Sequence, residues 1–220
     1  MTSPETAATP SAPEHLTPGQ AWQRMADGND RFVANSPEHP HQDSDRRSLL
    51  AGGQEPVAAL FGCADSRLAA EIIFDVGLGD LFVVRNAGQV VGDTVLASLE
   101  YAVSVLEVPL VVVLGHDSCG AVATAIASVE GGAAPGSRYL QGLVDMILPS
   151  VRRARIDVGP VDALDPREVG RLHVHASVAS LVERSQLLST AVAEGRLAVV
   201  GANYDLADGR VDASTVVGRL

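Results

Sequence analysis

An α/β domain built on a mostly parallel central sheet is predicted by three features of the sequence. Apolar runs of strand length, PVAALF at 56–61, LFVV at 81–84, LVVVL at 110–114 and LAVVGA at 197–202, alternate with stretches of helical periodicity. Such β–α alternation folds into parallel strands joined by right-handed crossovers. Hydrophobic residues make up 46% of the chain but aromatics only 4%, so the core is Ala, Val and Leu, which suits helices packed closely on a parallel sheet. The 220 residues are enough for one domain with a full core and do not require a second.

Residues 1–16 are rich in Pro, Ala, Ser and Thr without periodicity and read as a disordered leader, which leaves residues 17–220 as a single domain. Thr17-Pro18-Gly19-Gln20 is a capping box with Pro at the first helical position. The helix it opens carries Ala21, Trp22, Met25, Phe32 and Val33 on one side, with a break expected near Gly28. SPEHPHQDSD at 36–45 reads as a polar loop with His39 and His41 solvated. After the first strand, 68–76 is a short helix, 81–84 the second strand and 92–106 a helix with Val95, Leu99, Ala102, Val103 and Leu106 on one face. The third strand at 110–114 leads into a helix over 119–129. A Gly/Ala/Pro loop at 131–136 precedes a helix over 139–155, and IDVGPVDALDP at 156–166 is a linker. Residues 167–194 read as one long helix. His173 and His175 lie two apart on it, so they cannot share a face, and both are assigned structural or solvated roles. The fourth strand, 197–202, turns through YDLADGRV into a short edge strand from Arg210.

Composition narrows the chemistry. A net charge of −11 and a pI near 4.8 argue against nucleic acid or an anionic membrane as partner. All 16 basic residues are Arg, which excludes a Walker-A loop, a Schiff-base lysine and a Ser-Lys dyad. Absence of a signal-like start or a membrane-spanning run, together with only two Cys, is expected of a cytoplasmic protein without a disulfide framework.

Both Cys fall where a parallel sheet places its ligands. The first strand ends in GCADSR and delivers Cys63; the third ends in GHDSCG and delivers His116 and Cys119. Two thiolates and an imidazole are borderline-soft donors suited to Zn²⁺, and three protein ligands leave one tetrahedral position open, the arrangement of a catalytic site. Two buried structural thiols would be the blander reading, but each arrives beside other reactive groups, Asp65 with Arg67 and His116 with Asp117. A thiol-phosphatase loop needs a longer spacing than the Ala64, Asp65 and Ser66 that separate Cys63 from Arg67, and Asp65 would repel the anion. A redox CxxC pair is excluded by the distance between the two Cys in sequence. Next to a metal, Arg67 can hold Asp65 ionised as an acceptor for the proton of a metal-bound water; a freed Asp65 could instead ligate the zinc.

CADSR followed by GHDSCG resembles the paired zinc motifs of the β-class carbonic anhydrases. The likeness extends to GNDRF at 28–32, GQEP at 53–56, GDLFVVRNAG at 79–88, SLEYA at 98–102 and VVGANYDLADGRV at 199–211. It implies strand order 2-1-3-4-5 with an antiparallel edge strand, flanking helices, and a homodimer or dimer of dimers in which the N-terminal helical arm embraces its neighbour. It implies one zinc per chain on Cys63, His116 and Cys119, a catalytic dyad of Asp65 and Arg67, and a substrate pocket of Gln54, Phe82, Tyr101 and the Gly120 N–H, partly across the dimer interface. Asp117 departs from the Ser or Thr common there, which bears on the hydrogen bonding behind His116.

The reaction implied is reversible hydration of CO₂ to bicarbonate and a proton by zinc-bound hydroxide. Because two thiolates already offset the metal's charge, activity should favour alkaline pH. The rivals are a hydrolase of CS₂ or COS on the same scaffold and a non-catalytic zinc- or bicarbonate-binding sensor. Some relatives close at low pH, when Asp65 would replace the water on zinc. In one subgroup bicarbonate stabilises that form in a second pocket built from a Trp, an Arg and a Tyr. Arg85 and Tyr204 match two of these, but Leu60 stands at the Trp position, so a specific bicarbonate-inhibition site is not expected.

Overall fold

The computed structural model describes residues 16–132, 135–159 and 163–220. The leader expected at 1–16 therefore lies outside the described residues, except for Leu16, which packs partly buried against the core. Parts of the 131–136 loop and the 156–166 linker also fall outside them.

Five strands form one sheet of order β2-β1-β3-β4-β5. β1 (Ala58–Cys63), β2 (Leu81–Asn86), β3 (Leu110–His116) and β4 (Ala198–Tyr204) run parallel, and β5 (Val211–Val217) pairs antiparallel with β4. This is the order and the edge strand that the resemblance implies. β1 and β3 are buried along their whole length, as central strands covered on both faces must be.

Alternate side chains divide the core in two. Leu60, Val112 and Val200 face one layer with Met25, Val122 and Ile147; Phe61, Val111, Val113 and Val199 face the other with Leu99, Val174, Val178 and Leu181. The first layer is supplied by α1 (Pro18–Val33), α3 (Ala70–Ile73), α5 (Gly120–Val129) and α6 (Arg138–Val158), while α4 (Asp93–Ser104) and α8 (Gln186–Ala193) cover the second. α7 (Pro166–Arg184) contributes to both, Val169 to the first layer and Val174 to the second.

The capping box of α1 forms as read: Gln20 N–H donates to Thr17 Oγ1 at 3.2 Å and Thr17 N–H to Gln20 Oε1 at 2.8 Å. Four readings need correction. α1 runs unbroken through Gly28, because the glycine is there for close approach: a Cβ would lie 1.8 Å from the Phe74 carbonyl oxygen. The polar segment after α1 enters a helix, α2 (Ser44–Leu49), capped when Asp43 accepts from Arg46 N–H at 2.7 Å; with no apolar periodicity, nothing in its pattern signals it. The helix expected at 68–76 shrinks to α3, which stops where Asp75 takes a left-handed φ of 43° and its carboxylate accepts the N–H groups of Glu38 and His39. The long C-terminal helix breaks at Ser185, whose extended backbone ends α7 and whose Oγ caps α8 at Leu188 N while donating to Glu100 at 2.6 Å.

His41 is not simply solvated either. Its Nδ1 lies 2.8 Å from buried Asp80, which also accepts from Arg24 at 3.2 Å and Gly77 N–H at 2.8 Å. α1, which the resemblance implies embraces a neighbour, buries Ala21 and Met25 within its own chain.

Candidate metal centre

β1 and β3 are adjacent and parallel, with Gly62 opposite Leu114, so their carboxyl ends open side by side, where open α/β sheets bind ligands. Cys63 is the last residue of β1 and His116 the last of β3. A tight turn through Ser118, at φ 52°, then brings back Cys119 as the N-cap of α5. The two Sγ atoms and an imidazole nitrogen all lie within 4.8 Å of one another, and all three residues are buried.

The protonation pattern suits a cation. His116 Nδ1 is 2.8 Å from the Asp117 carbonyl oxygen and must donate to it, which leaves the lone pair on Nε2. That Nε2 is buried and has no hydrogen-bond partner among the described residues, an orphan acceptor of the kind a metal satisfies. The Cys63 thiol is pushed well down, first by a hydrogen bond from Cys119, then by His116 and the N–H groups of Gly88 and Asp65, against the opposing effect of burial. Cys119 is pushed up by the same contact and by burial. Two thiols and an imidazole this close together form a donor set whose sulfur-bound protons a cation would displace.

Asp65 and Arg67 form a fork. Arg67 Nε donates to Oδ1 at 2.9 Å and Nη2 to Oδ2 at 2.7 Å, with the Arg67 N–H on Oδ1 at 3.0 Å. The side-chain bonds from Arg67 hold the Asp65 carboxyl below the usual carboxylate range. Arg67 Nη2 also reaches the Ser118 carbonyl at 3.3 Å, linking the CADSR turn to the GHDSCG turn.

Residues around this group hold it in place. Arg85 at the end of β2 donates to the carbonyls of Cys63 at 2.9 Å and Asp65 at 2.6 Å. Gly88 N–H donates to Cys63 Sγ at 3.3 Å, and buried His173 Nε2 meets the Gly88 carbonyl at 2.7 Å. His175, exposed, meets Thr215 instead. Asp117 serves His116 through its backbone carbonyl, so the departure from Ser or Thr costs that bond nothing; its carboxylate takes Leu206 N–H at 2.8 Å and faces Arg167 at 3.4 Å. The Gly88 and His173 contacts were not read from the sequence, and the only signal for them was the glycine inside GDLFVVRNAG.

Of the expected pocket residues, Phe82 and Tyr101 come together, with ring centroids 6.0 Å apart. Gly120 begins α5 with open space where a Cβ would stand. Gln54 is exposed between the turn at Leu50–Gly52 and β1, and within the described chain it has no hydrogen bond to the cluster.

The carbonic anhydrase family model matches residues 58–211. The chain is 52% identical over 207 residues to carbonic anhydrase 2 of Mycobacterium tuberculosis, covering 94% of this chain and 97% of that protein. It is 47% identical over 204 residues to a carbonic anhydrase of Mycolicibacterium smegmatis, covering 92% and 96%. In structure it is similar to a β-carbonic anhydrase of Sordaria macrospora described as tetrameric, with a TM-score of 0.70, 25% identity and coverage of 89% and 98%. It is also similar to the Coccomyxa β-carbonic anhydrase solved with acetazolamide, with a TM-score of 0.69, 27% identity and coverage of 86% and 83%. With its sheet order, its Cys-His-Cys cluster and these relatives in agreement, the chain belongs to the β-class carbonic anhydrases.

Proposed function

We propose that the protein is a zinc enzyme that reversibly hydrates CO₂ to bicarbonate and a proton. The observation that carries this reading is the orphan His116 Nε2 within 4.8 Å of two thiol sulfurs, on the same turns as an Asp65 held ionised by Arg67. Cys63, His116 and Cys119 would hold the metal. Zn²⁺ bound there would supply the Lewis acidity that makes water a nucleophile, at more alkaline pH than in a histidine-only site because two thiolates offset the metal's charge.

The chain's own groups do the rest. Asp65, acceptor-only while Arg67 holds its charge, takes a hydrogen bond from the attacking water and orients a lone pair toward the substrate carbon. Phe82 and Tyr101 form an apolar wall for a linear, uncharged molecule, and the Gly120 N–H is a donor for a substrate oxygen at the start of α5. Gln54 completes the pocket from a neighbouring subunit, which fits its separation from the cluster within one chain. The assembly in this reading is a homodimer or dimer of dimers. Among the described residues no helix is long and apolar enough to cross a membrane and both thiols are free, which supports a cytoplasmic setting.

Stopped-flow CO₂ hydration by the zinc-loaded protein, with CS₂ and COS assayed beside it, tests the proposal. Fast CO₂ hydration is expected, with little turnover of the sulfur compounds; the reverse ranking would identify a CS₂ or COS hydrolase, and no turnover of any of the three would favour a sensor.

A further inference from the structure

α6 packs into the core through Val144, Ile147, Val151 and Ala154, all buried. The outward face of a surface helix should be polar, yet this one carries Tyr139 and Ile156, 75% and 74% exposed, with exposed Met146 and Pro149 between them. Gly142 and Arg153 complete the stripe. Positions 139, 142, 146, 149, 153 and 156 are three and four residues apart in turn, the spacing of a helix that packs lengthwise on another helix.

The order of gaps is the same read from either end, so the stripe is complementary to itself when two copies run antiparallel. Tyr139 then meets the partner's Ile156, and Met146 meets the partner's Pro149. Gly142, where a Cβ would find open space, makes room for the partner's Arg153. Charge follows the same symmetry. Beside the stripe, the Asp145 carboxylate takes a bond from Gln141 of its own helix at 2.8 Å, and exposed Arg152 has no ion pair among the described residues. In the antiparallel register Asp145 flanks the partner's Arg152, twice by symmetry. A parallel pairing would instead set Arg153 against its own copy.

We propose that the outward face of α6 binds a second copy of this chain, α6 against α6 antiparallel about a two-fold axis between Met146 and Pro149. α6 covers the first core layer and α4, with Tyr101, the second, so this contact is separate from the one at which a neighbour completes the substrate pocket. It rests on the proposed assembly in one respect, that it joins two such dimers. In a dimer of dimers it occurs twice, and each short seam reinforces the other.

Paired cysteines test the register. In Gly142→Cys/Arg153→Cys the two new thiols lie about 16 Å apart along one helix, too far for a bridge within a chain, but each faces the other's copy across the seam. Glutathione disulfide added to the zinc-loaded full chain is expected to give a covalent dimer on a non-reducing gel, with none from either single variant. Light scattering is the second readout. Met146→Glu/Ile156→Glu is expected to halve the mass of the assembly, and a melting curve confirms that this variant is folded. An undiminished mass, or no covalent dimer from the paired cysteines, overturns the proposal. Neither readout uses turnover, so failure here and failure of the CO₂ hydration reading are distinguishable.

Discussion

The peptide N–H of Gly88 donates to the Sγ of Cys63 at 3.3 Å, so one sulfur of the Cys-His-Cys cluster is held by a backbone turn between β2 and α4. Gly88 sits at φ 73°, and a Cβ there would lie 2.8 Å from that of Ala121 and 3.1 Å from Ile147 Cδ1. Gly88→Ala is expected to cost about 1–3 kcal/mol of stability and to weaken zinc binding as the donor moves. Thermal melts and competition with a chelator measure the two effects; unchanged competition would mean that the donor does not support the ligand.

Removing either sulfur should have a larger effect. Cys63→Ser and Cys119→Ser are each expected to lose zinc and activity together, because thiolate supplies much of the affinity. Elemental analysis beside a CO₂ hydration assay checks this, and full zinc content with normal turnover in either variant would refute the ligand assignment.

Asp65→Asn should separate the two properties, retaining zinc while turnover falls on the order of 10²-fold or more, the scale of a lost proton-transfer or orienting group. The folded pKa of Asp65 lies below its unfolded value, with the Arg67 hydrogen bonds the main cause. The stability this brings is fully present above the unfolded pKa of about 3.9 and is lost only as pH falls through the depressed folded value. Protonation of Asp65 therefore does not explain any activity change between pH 5 and 9. A carboxyl ¹³C titration should show the resonance flat across that window, and Arg67→Met should bring its midpoint back up toward the ordinary carboxylate range.

Bicarbonate should not inhibit through a specific second pocket. Leu60, at the position of the subgroup's Trp, is buried inside β1 and has no indole N–H to offer. Arg85, which would have to hold the anion, uses Nε and Nη2 on the Cys63 and Asp65 carbonyls. Initial rates against bicarbonate near neutral pH are expected to show simple product inhibition; steep cooperative inhibition abolished by Arg85→Ala or Tyr204→Phe would contradict this.

Subunit association is expected to be required for activity. Tyr101, at 46% exposure, and Gln54 stand on the surface of the isolated chain, although both match substrate-pocket positions, and Ile72, Leu78 and Val105 are also exposed. Light scattering coupled to activity should find a dimer or tetramer and no active monomer. Tyr101→Arg, if it disperses the assembly, should remove turnover while leaving zinc bound.

Much of this was legible in the chain because the pattern that carries it is local. A short β-branched run such as LVVVL, set between Pro109 and Gly115, reads as a covered strand, Thr17 followed by Pro18 and Gln20 opens a helix, and a soft ligand immediately after a parallel strand lies at the carboxyl edge of the sheet. Cys63, His116 and Cys119 were read in this way, and their strands prove adjacent. Strand order came from the resemblance alone, since periodicity does not say which strands are neighbours.

Other features depend on which distant residues meet, and local pattern carries no record of that. Gly28 looks like a helix breaker until the Phe74 carbonyl is seen against it. Ser185 looks like one more helical residue until Glu100 takes its hydroxyl, and His41 looks solvated until Asp80 is placed beside it. The α/β class, the Cys63, His116 and Cys119 donor set and the Asp65–Arg67 pair could be read from the chain alone, because these follow from side-chain chemistry and short spacing. How this donor set is held, by Gly88 on Cys63 and by Arg85 across the CADSR turn, emerges only in the folded chain, because a hydrogen bond between distant segments exists only once the fold has brought them together.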